Sequence, residues 1–205
     1  MTQAPSWLRR SELAPPPDEG GADTGFSVLF VCTGNICRSA FAEIYLRDRL
    51  GPSSPVTVSS AGIMAVAGHD LEDEMAARAQ FLGLPRTGHV ARQLNGRILA
   101  GADLVVVFEE HHLTWVLEER PETLLRTVSL GQAAAAATAL GPEGTLPWTE
   151  LAPRIHALRP SPLPEDWIPD PYGRGPEAAS AVAGRITHDI DTLLDHVAPR
   201  RVEQG

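Results

Sequence analysis

The chain has 205 residues, 43% of them hydrophobic and 5% aromatic, enough apolar material to close one core of ordinary size without metal or disulfide staples. Its formal net charge of -9, from 17 Lys and Arg against 26 Asp and Glu, excludes the usual electrostatic footprint of a nucleic-acid binder and disfavours stable association with anionic membranes. The only cysteines, Cys32 and Cys37, are too few for a disulfide framework, and nothing near them completes a zinc site, so neither a metal nor a cofactor is expected.

Residues 1 to 25 read as a flexible, polar extension carrying Pro15, Pro16 and Pro17, and a single domain is expected over 26 to 200. The extension lacks the apolar core of a secretory signal and no run reaches membrane-spanning length, so a reducing cytoplasm is the expected compartment. Phe26 to Val31 is a short apolar, β-branched run and predicts a buried strand. After the segment Cys32 to Ser39, Ala40 to Arg47 has helical spacing and is stopped by Gly51-Pro52. Val56 to Ser60 predicts a second strand, Leu71 to Leu82 a helix, and Asp103 to Phe108 a strand of the kind covered on both faces. Glu109 to Glu119 predicts a helix, Leu125 to Leu130 a fourth strand, and Gln132 to Leu140 an Ala-rich helix. Trp148 to Leu158 suits a short helix, the proline-rich stretch 160 to 171 a loop, and Glu177 to Val197 a long amphipathic final helix. Strands and helices alternating in this way predict an α/β domain, a mostly parallel four-stranded sheet with helices on both faces, with ligands gathering beyond the carboxyl ends of the strands.

Cys32 falls at the carboxyl end of the first predicted strand, and the residues after it describe an oxyanion cradle. A tight loop between a strand and a helix start can turn successive N–H groups inward, and the helix N-terminus adds its positive end. Gly34 and Asn35 are the residue types that accept the backbone conformations such a loop needs. Arg38 supplies a rigid fork of donors matched to phosphoryl oxygens. A cysteine at the mouth of this loop is biased toward thiolate, and the hydroxyl of Ser39 can donate to its sulfur. A cysteine after a buried strand is by itself more often a small core residue; the company of Gly34, Asn35, Arg38 and Ser39 shifts the reading to chemistry.

The loop Cys32-Thr33-Gly34-Asn35-Ile36-Cys37-Arg38-Ser39 resembles that of the low-molecular-weight protein tyrosine phosphatases, with Cys and Arg separated by five residues. The resemblance runs over about residues 26 to 197 and is anchored again at Ser60-Ala61-Gly62, Gly68-His69, Gly88-His89, Arg92-Gln93-Leu94 and Asp170-Pro171-Tyr172. It implies metal-independent hydrolysis of phosphotyrosine on proteins through a phosphocysteine intermediate, with a phosphotyrosine-containing protein as partner. Cys32 would be the nucleophile, Arg38 the clamp on the phosphoryl oxygens and Asp170 the general acid and then base. Thr33, Gly34, Asn35, Ile36, Cys37 and Ser39 would complete the phosphate-binding loop, Asn35 holding its geometry, and Tyr172 would stand at the pocket mouth.

The sequence also departs from that pattern. Ile63 to Ala67 has no tryptophan, Asp70 replaces a proline, Tyr172 is a lone aromatic, and Phe108-Glu109 stands where Met-Asp is usual. The pocket wall is therefore expected to be less aromatic. Cys37 admits two readings, a reversible disulfide with Cys32 or inert packing. His69 and His89 are read as loop-fixing hydrogen-bonders, and the seven histidines show no metal-ligand spacing. Two other functions share this loop or scaffold: an arsenate reductase using an external thiol, since no cysteine follows Cys37, and a non-catalytic phosphate- or phosphotyrosine-binding protein.

Overall fold

The computed structural model describes residues 25–85, 88–140 and 145–197. The extension expected over 1 to 25 lies, residue 25 apart, outside them. Four strands, β1 (Ser27–Cys32), β2 (Thr57–Gly62), β3 (Leu104–Val107) and β4 (Thr127–Ser129), form one sheet in the order β2-β1-β3-β4, every pair parallel. The helices are α1 (Arg38–Leu50), α2 (Asp73–Phe81), α3 (Gly96–Ala100), α4 (Glu110–Glu119), α5 (Leu130–Ala139), α6 (Trp148–Leu158) and α7 (Gly175–Leu194).

Alternation along β1 builds two cores. Val28, Phe30 and Cys32 face one layer, with Phe41 and Ile44 of α1, Leu151 of α6, and Ile186 and Ile190 of α7. Leu29 and Val31 face the other, with Leu99 of α3 and Val116 of α4. Both layers are closed, which is why β1 and β3 read as unbroken apolar runs rather than alternating ones.

The chain leaves β1 toward β2 on one side and returns to β3 on the other. The end of β1 is thus the point where connections diverge and leave a crevice. Cys32 pairs with Gly62 at that end.

The structure adds three short elements to the sequence reading. The short helix α3 is capped by Asn95, whose side-chain oxygen accepts from the N–H groups of Arg97 and Ile98 at 3.0 Å each. A 3-10 segment, Pro121–Arg126, leads into β4, which is shorter than expected, and another, Pro164–Asp166, interrupts the loop over 160 to 171. Helix α2 is shorter than its apolar pattern because Glu72 caps it, and α7 runs from Gly175 rather than Glu177 and ends at Leu194.

Candidate active site

Between β1 and α1 the backbone is fastened from the outside. The carbonyl of Cys32 accepts from Ile63 N (2.9 Å), that of Thr33 from Met64 N (2.9 Å), and that of Gly34 from Val66 N (2.9 Å). The carbonyl of Asn35 accepts from His89 Nε2 at 2.7 Å, that of Ile36 from Glu72 N at 2.8 Å, and that of Cys37 from Phe41 N at 2.9 Å. Every carbonyl of the loop is thus spent on the surrounding protein. Among the described residues, no N–H from Thr33 to Cys37 is spent in the same way. Uncommitted N–H groups in a row before a helix N-terminus are the donors an anion needs.

Asn35 makes the turn possible. It is fully buried with φ 55, the one non-glycine residue with positive φ among the described residues. Its Nδ2 donates to Ser39 Oγ (2.9 Å) and Ser60 Oγ (2.7 Å), and its Oδ1 accepts from Arg92 N (2.9 Å). Ser60 in turn donates to Glu43. Because Ser39 Oγ already accepts from Asn35, its one hydrogen is free for Cys32 Sγ, 2.9 Å away. A relay of polar groups under the loop therefore ends in a donor aimed at a sulfur. Gly62 lets β2 come this close: a Cβ there would lie 2.5 Å from Thr33 O and 2.9 Å from Asn35 N.

Arg38 is 1% exposed, a charge that burial tolerates only when it is partnered. It pairs with Glu109, donates to Ile168 O at 3.0 Å, and stands 3.1 Å from Asp170 Oδ2. Its Nε is buried and donates to nothing among the described residues. Cys32, Arg38 and Asp170 line one cleft of about 230 Å³, together with Thr33, Gly34, Ile36, Cys37, Met64, Val66 and Tyr172. Of the residues singled out from the sequence, Asn35 and Ser39 lie beneath this cleft and the others on its wall. Tyr172 is 62% exposed at the edge, and Met64 and Val66 occupy the stretch where the sequence departs from the aromatic pattern.

Burial, followed by Glu72, Asp170 and Cys32, pushes the Cys37 thiol far up, so it stays protonated. Both cysteines are free. A thiol that resists ionisation is a poor partner for disulfide exchange, which favours packing for Cys37. His89 fixes the loop as expected, whereas His69 contributes backbone groups, its carbonyl accepting from Ala91 N at 2.7 Å.

Glu109, His111 and His112 form a cluster that linear spacing did not suggest, with their ligating atoms within 4.8 Å of one another. The tautomer argues against a metal there. His112 Nδ1 accepts from Glu109 N (3.1 Å), so the ring hydrogen sits on Nε2 and donates to Thr33 Oγ1 (3.0 Å), while Glu109 is engaged by Arg38. The cluster is a brace for Thr33 and Arg38. Glu43 and the pair His111 and His112 were not singled out as site residues. Glu43 lies one helical turn beyond Ser39, the only linear sign of its place under the loop.

Comparison with known proteins agrees with this geometry. Residues 27–132, more than half of the chain, match the model of the family described as low molecular weight phosphotyrosine protein phosphatase. The low molecular weight protein-tyrosine-phosphatase Etp of Escherichia coli K12 is 31% identical over 160 residues, covering 78% of this chain and 86% of Etp. Among solved structures, the tyrosine phosphatase AmsI of Erwinia amylovora superposes with a TM-score of 0.65 at 25% identity, over 84% of this chain and 93% of AmsI. The YwlE arginine phosphatase of Geobacillus stearothermophilus gives 0.63 at 26% identity, over 82% and 90%. A parallel sheet ending in an anion cradle, a sulfur at its base and a family match across most of both say the same thing: the chain belongs to the low molecular weight phosphotyrosine protein phosphatase family.

Proposed function

We propose that the chain hydrolyses phosphotyrosine on proteins by way of a cysteinyl phosphate, with Cys32 as nucleophile, Arg38 as phosphoryl clamp and Asp170 as general acid and base. The observation that carries this reading is the convergence on one small cleft of Cys32 and Arg38, from a single loop, with Asp170, from a distant part of the chain. The thiolate of Cys32, supported by the Ser39 hydroxyl, attacks phosphorus in line with the aryl oxygen. As the P–O bond breaks, the Asp170 carboxyl delivers its proton to the departing phenolate. The loop N–H groups from Thr33 to Cys37 and Arg38 hold the three remaining oxygens without rearranging. Water then attacks phosphorus while Asp170 takes its proton, the S–P bond breaks, and phosphate leaves.

The substrate phosphoryl group competes with the Asp170 carboxylate for Arg38 NH2, so binding releases that carboxylate to take up a proton from solvent and carry it to the leaving oxygen. Ile36, Met64, Val66 and Tyr172 make a largely apolar wall that suits a phenyl ring better than a charged guanidinium, which favours an aryl phosphate over the phosphoarginine implied by the name of YwlE. Residues 26 to 200 are read as the catalytic domain. No helix among the described residues is long and apolar enough to cross a membrane, and a reducing cytoplasm suits a catalytic thiol.

The test is hydrolysis of p-nitrophenyl phosphate and of matched phosphotyrosine and phosphoarginine peptides, with EDTA present. Activity should survive EDTA, vanish in Cys32→Ser, and drop about 10²–10⁴-fold in Asp170→Asn. A reduced native protein that binds these substrates without turning them over would sink the catalytic reading. A preference for phosphoarginine would overturn the substrate assignment alone.

A further inference from the structure

Behind the wall that carries Arg38 and Thr33 lies a second, larger hollow of about 680 Å³, which the chemistry above does not use. Helix α4 forms one side of it. Glu110 and Glu118 fall two turns apart on one face of that helix, with Trp115 on the adjoining stripe, and Trp167 faces them from the segment that leads into Asp170. The two indoles are half-buried, and the two carboxylates are exposed. Neither carboxylate is in an ion pair among the described residues.

The hollow and the cleft share their partition. Glu109 lines the hollow and pairs with Arg38 of the cleft, and His111 lines it and lies 3.2 Å from Thr33 Oγ1. Ile63 lines one cavity and its neighbour Met64 the other, while Trp167 stands three residues before Asp170. A polypeptide with its phosphorylated residue in the cleft would need to cross only this partition, a span its next few residues cover at roughly 3.3–3.6 Å each.

Resting on the phosphatase reading, we propose that this hollow is a subsite for a cationic side chain of the substrate, arginine above all, one to three residues from the phosphorylated one. A guanidinium stacks on an indole face and bonds to carboxylates in the same plane, and here two indoles and two carboxylates line one hollow. An acidic side chain meets repulsion there, and a neutral one leaves both carboxylates unpaired. The subsite would select phosphoproteins with basic flanks, although the acidity of the whole chain sets no such choice at any one residue.

The decisive comparison is kcat/KM on phosphotyrosine peptides identical except for Arg or Ala at those flanking positions, using native protein and a Glu110→Gln, Glu118→Gln double variant. Native protein should favour the Arg peptide about tenfold, the ratio should fall to near one in the double variant, and p-nitrophenyl phosphate should be hydrolysed equally by both. Equal rates on both peptides in native protein, or a preference that survives the double substitution, would overturn the subsite. If p-nitrophenyl phosphate is not hydrolysed at all, the phosphatase reading fails instead. The same peptide pair, titrated against tryptophan emission, then decides the subsite. A tighter Kd for the Arg peptide that the double variant loses upholds it, and equal values reject it.

Discussion

His112 is wholly buried, between the N–H of Glu109 and the hydroxyl of Thr33. Burial first, then the nearby Arg38 guanidinium and His111, disfavours its imidazolium and takes the ring from 6.5 to about 2. The unfolded chain takes up a proton on this ring as pH falls through about 6.5, while the folded chain does not until about 2. Stability from this group is therefore present above 6.5 and is lost as pH drops between those values, at about 1.4 kcal/mol per pH unit. Asn at this position keeps an acceptor for Glu109 N and removes the titration. His112→Asn should flatten the fall of unfolding free energy between pH 6 and 4 by about one proton relative to native protein, measured by urea denaturation at each pH. Parallel curves would mean that the buried ring charges as freely as an exposed one.

At the scale of elements, the chemistry hangs on how closely β2 approaches the loop after β1. Gly62→Ala should push Thr33 and Asn35 outward, since backbone atoms rather than a flexible tip stand where the methyl group would go. The expected cost is about 1–3 kcal/mol of stability and up to about 100-fold in kcat, because a shift of this size misaims the donors. A variant with native kcat would show that the loop has slack the geometry does not suggest. The strands were legible because β1 and β3 are buried on both faces and write themselves as Val, Leu and Phe runs. The cradle was legible because a loop of this kind needs Gly34, Asn35 and Arg38 at fixed places. What escaped the sequence was short or long-range. The helix α3 has five residues and only Asn95 to announce it. The tie from Arg38 to Glu109 spans 71 positions, and no local pattern encodes such a partner. The short 3-10 segment before Ile168 was hidden in a stretch whose prolines signalled only that no long helix could form there.

For the molecule as a whole, the fold must bring that same stretch against the sheet and hold it there. Asp166, 2% exposed, does so through two 2.9 Å bonds from Arg159 and one of 2.7 Å from Leu163 N, while Gly131 of α5 packs under its backbone. A Cβ on Gly131 would fall 2.4 Å from Asp166 O. Gly131→Ala should therefore lower Tm by several degrees and slow turnover of esters with poor leaving groups more than of p-nitrophenyl phosphate, because the Asp170 segment shifts and the cradle does not. Equal losses on both esters would place the damage in the cradle instead. The bond from Arg38 to Ile168 O crosses 130 positions, and that from Tyr45 to Asp191 crosses 146. Such distant pairings form late, since loop closure must come first. A ribosome adding about 5–20 residues per second needs roughly 7–28 s to get from Cys32 to Asp170. Throughout that interval a nascent chain has Arg38 but neither the Ile168 carbonyl nor the Asp170 carboxylate, so a polypeptide ended before these residues lacks two of the partners that hold the buried guanidinium. A fully partnered Arg38 is in effect a proofreading mark that the ribosome has read through at least to Asp170.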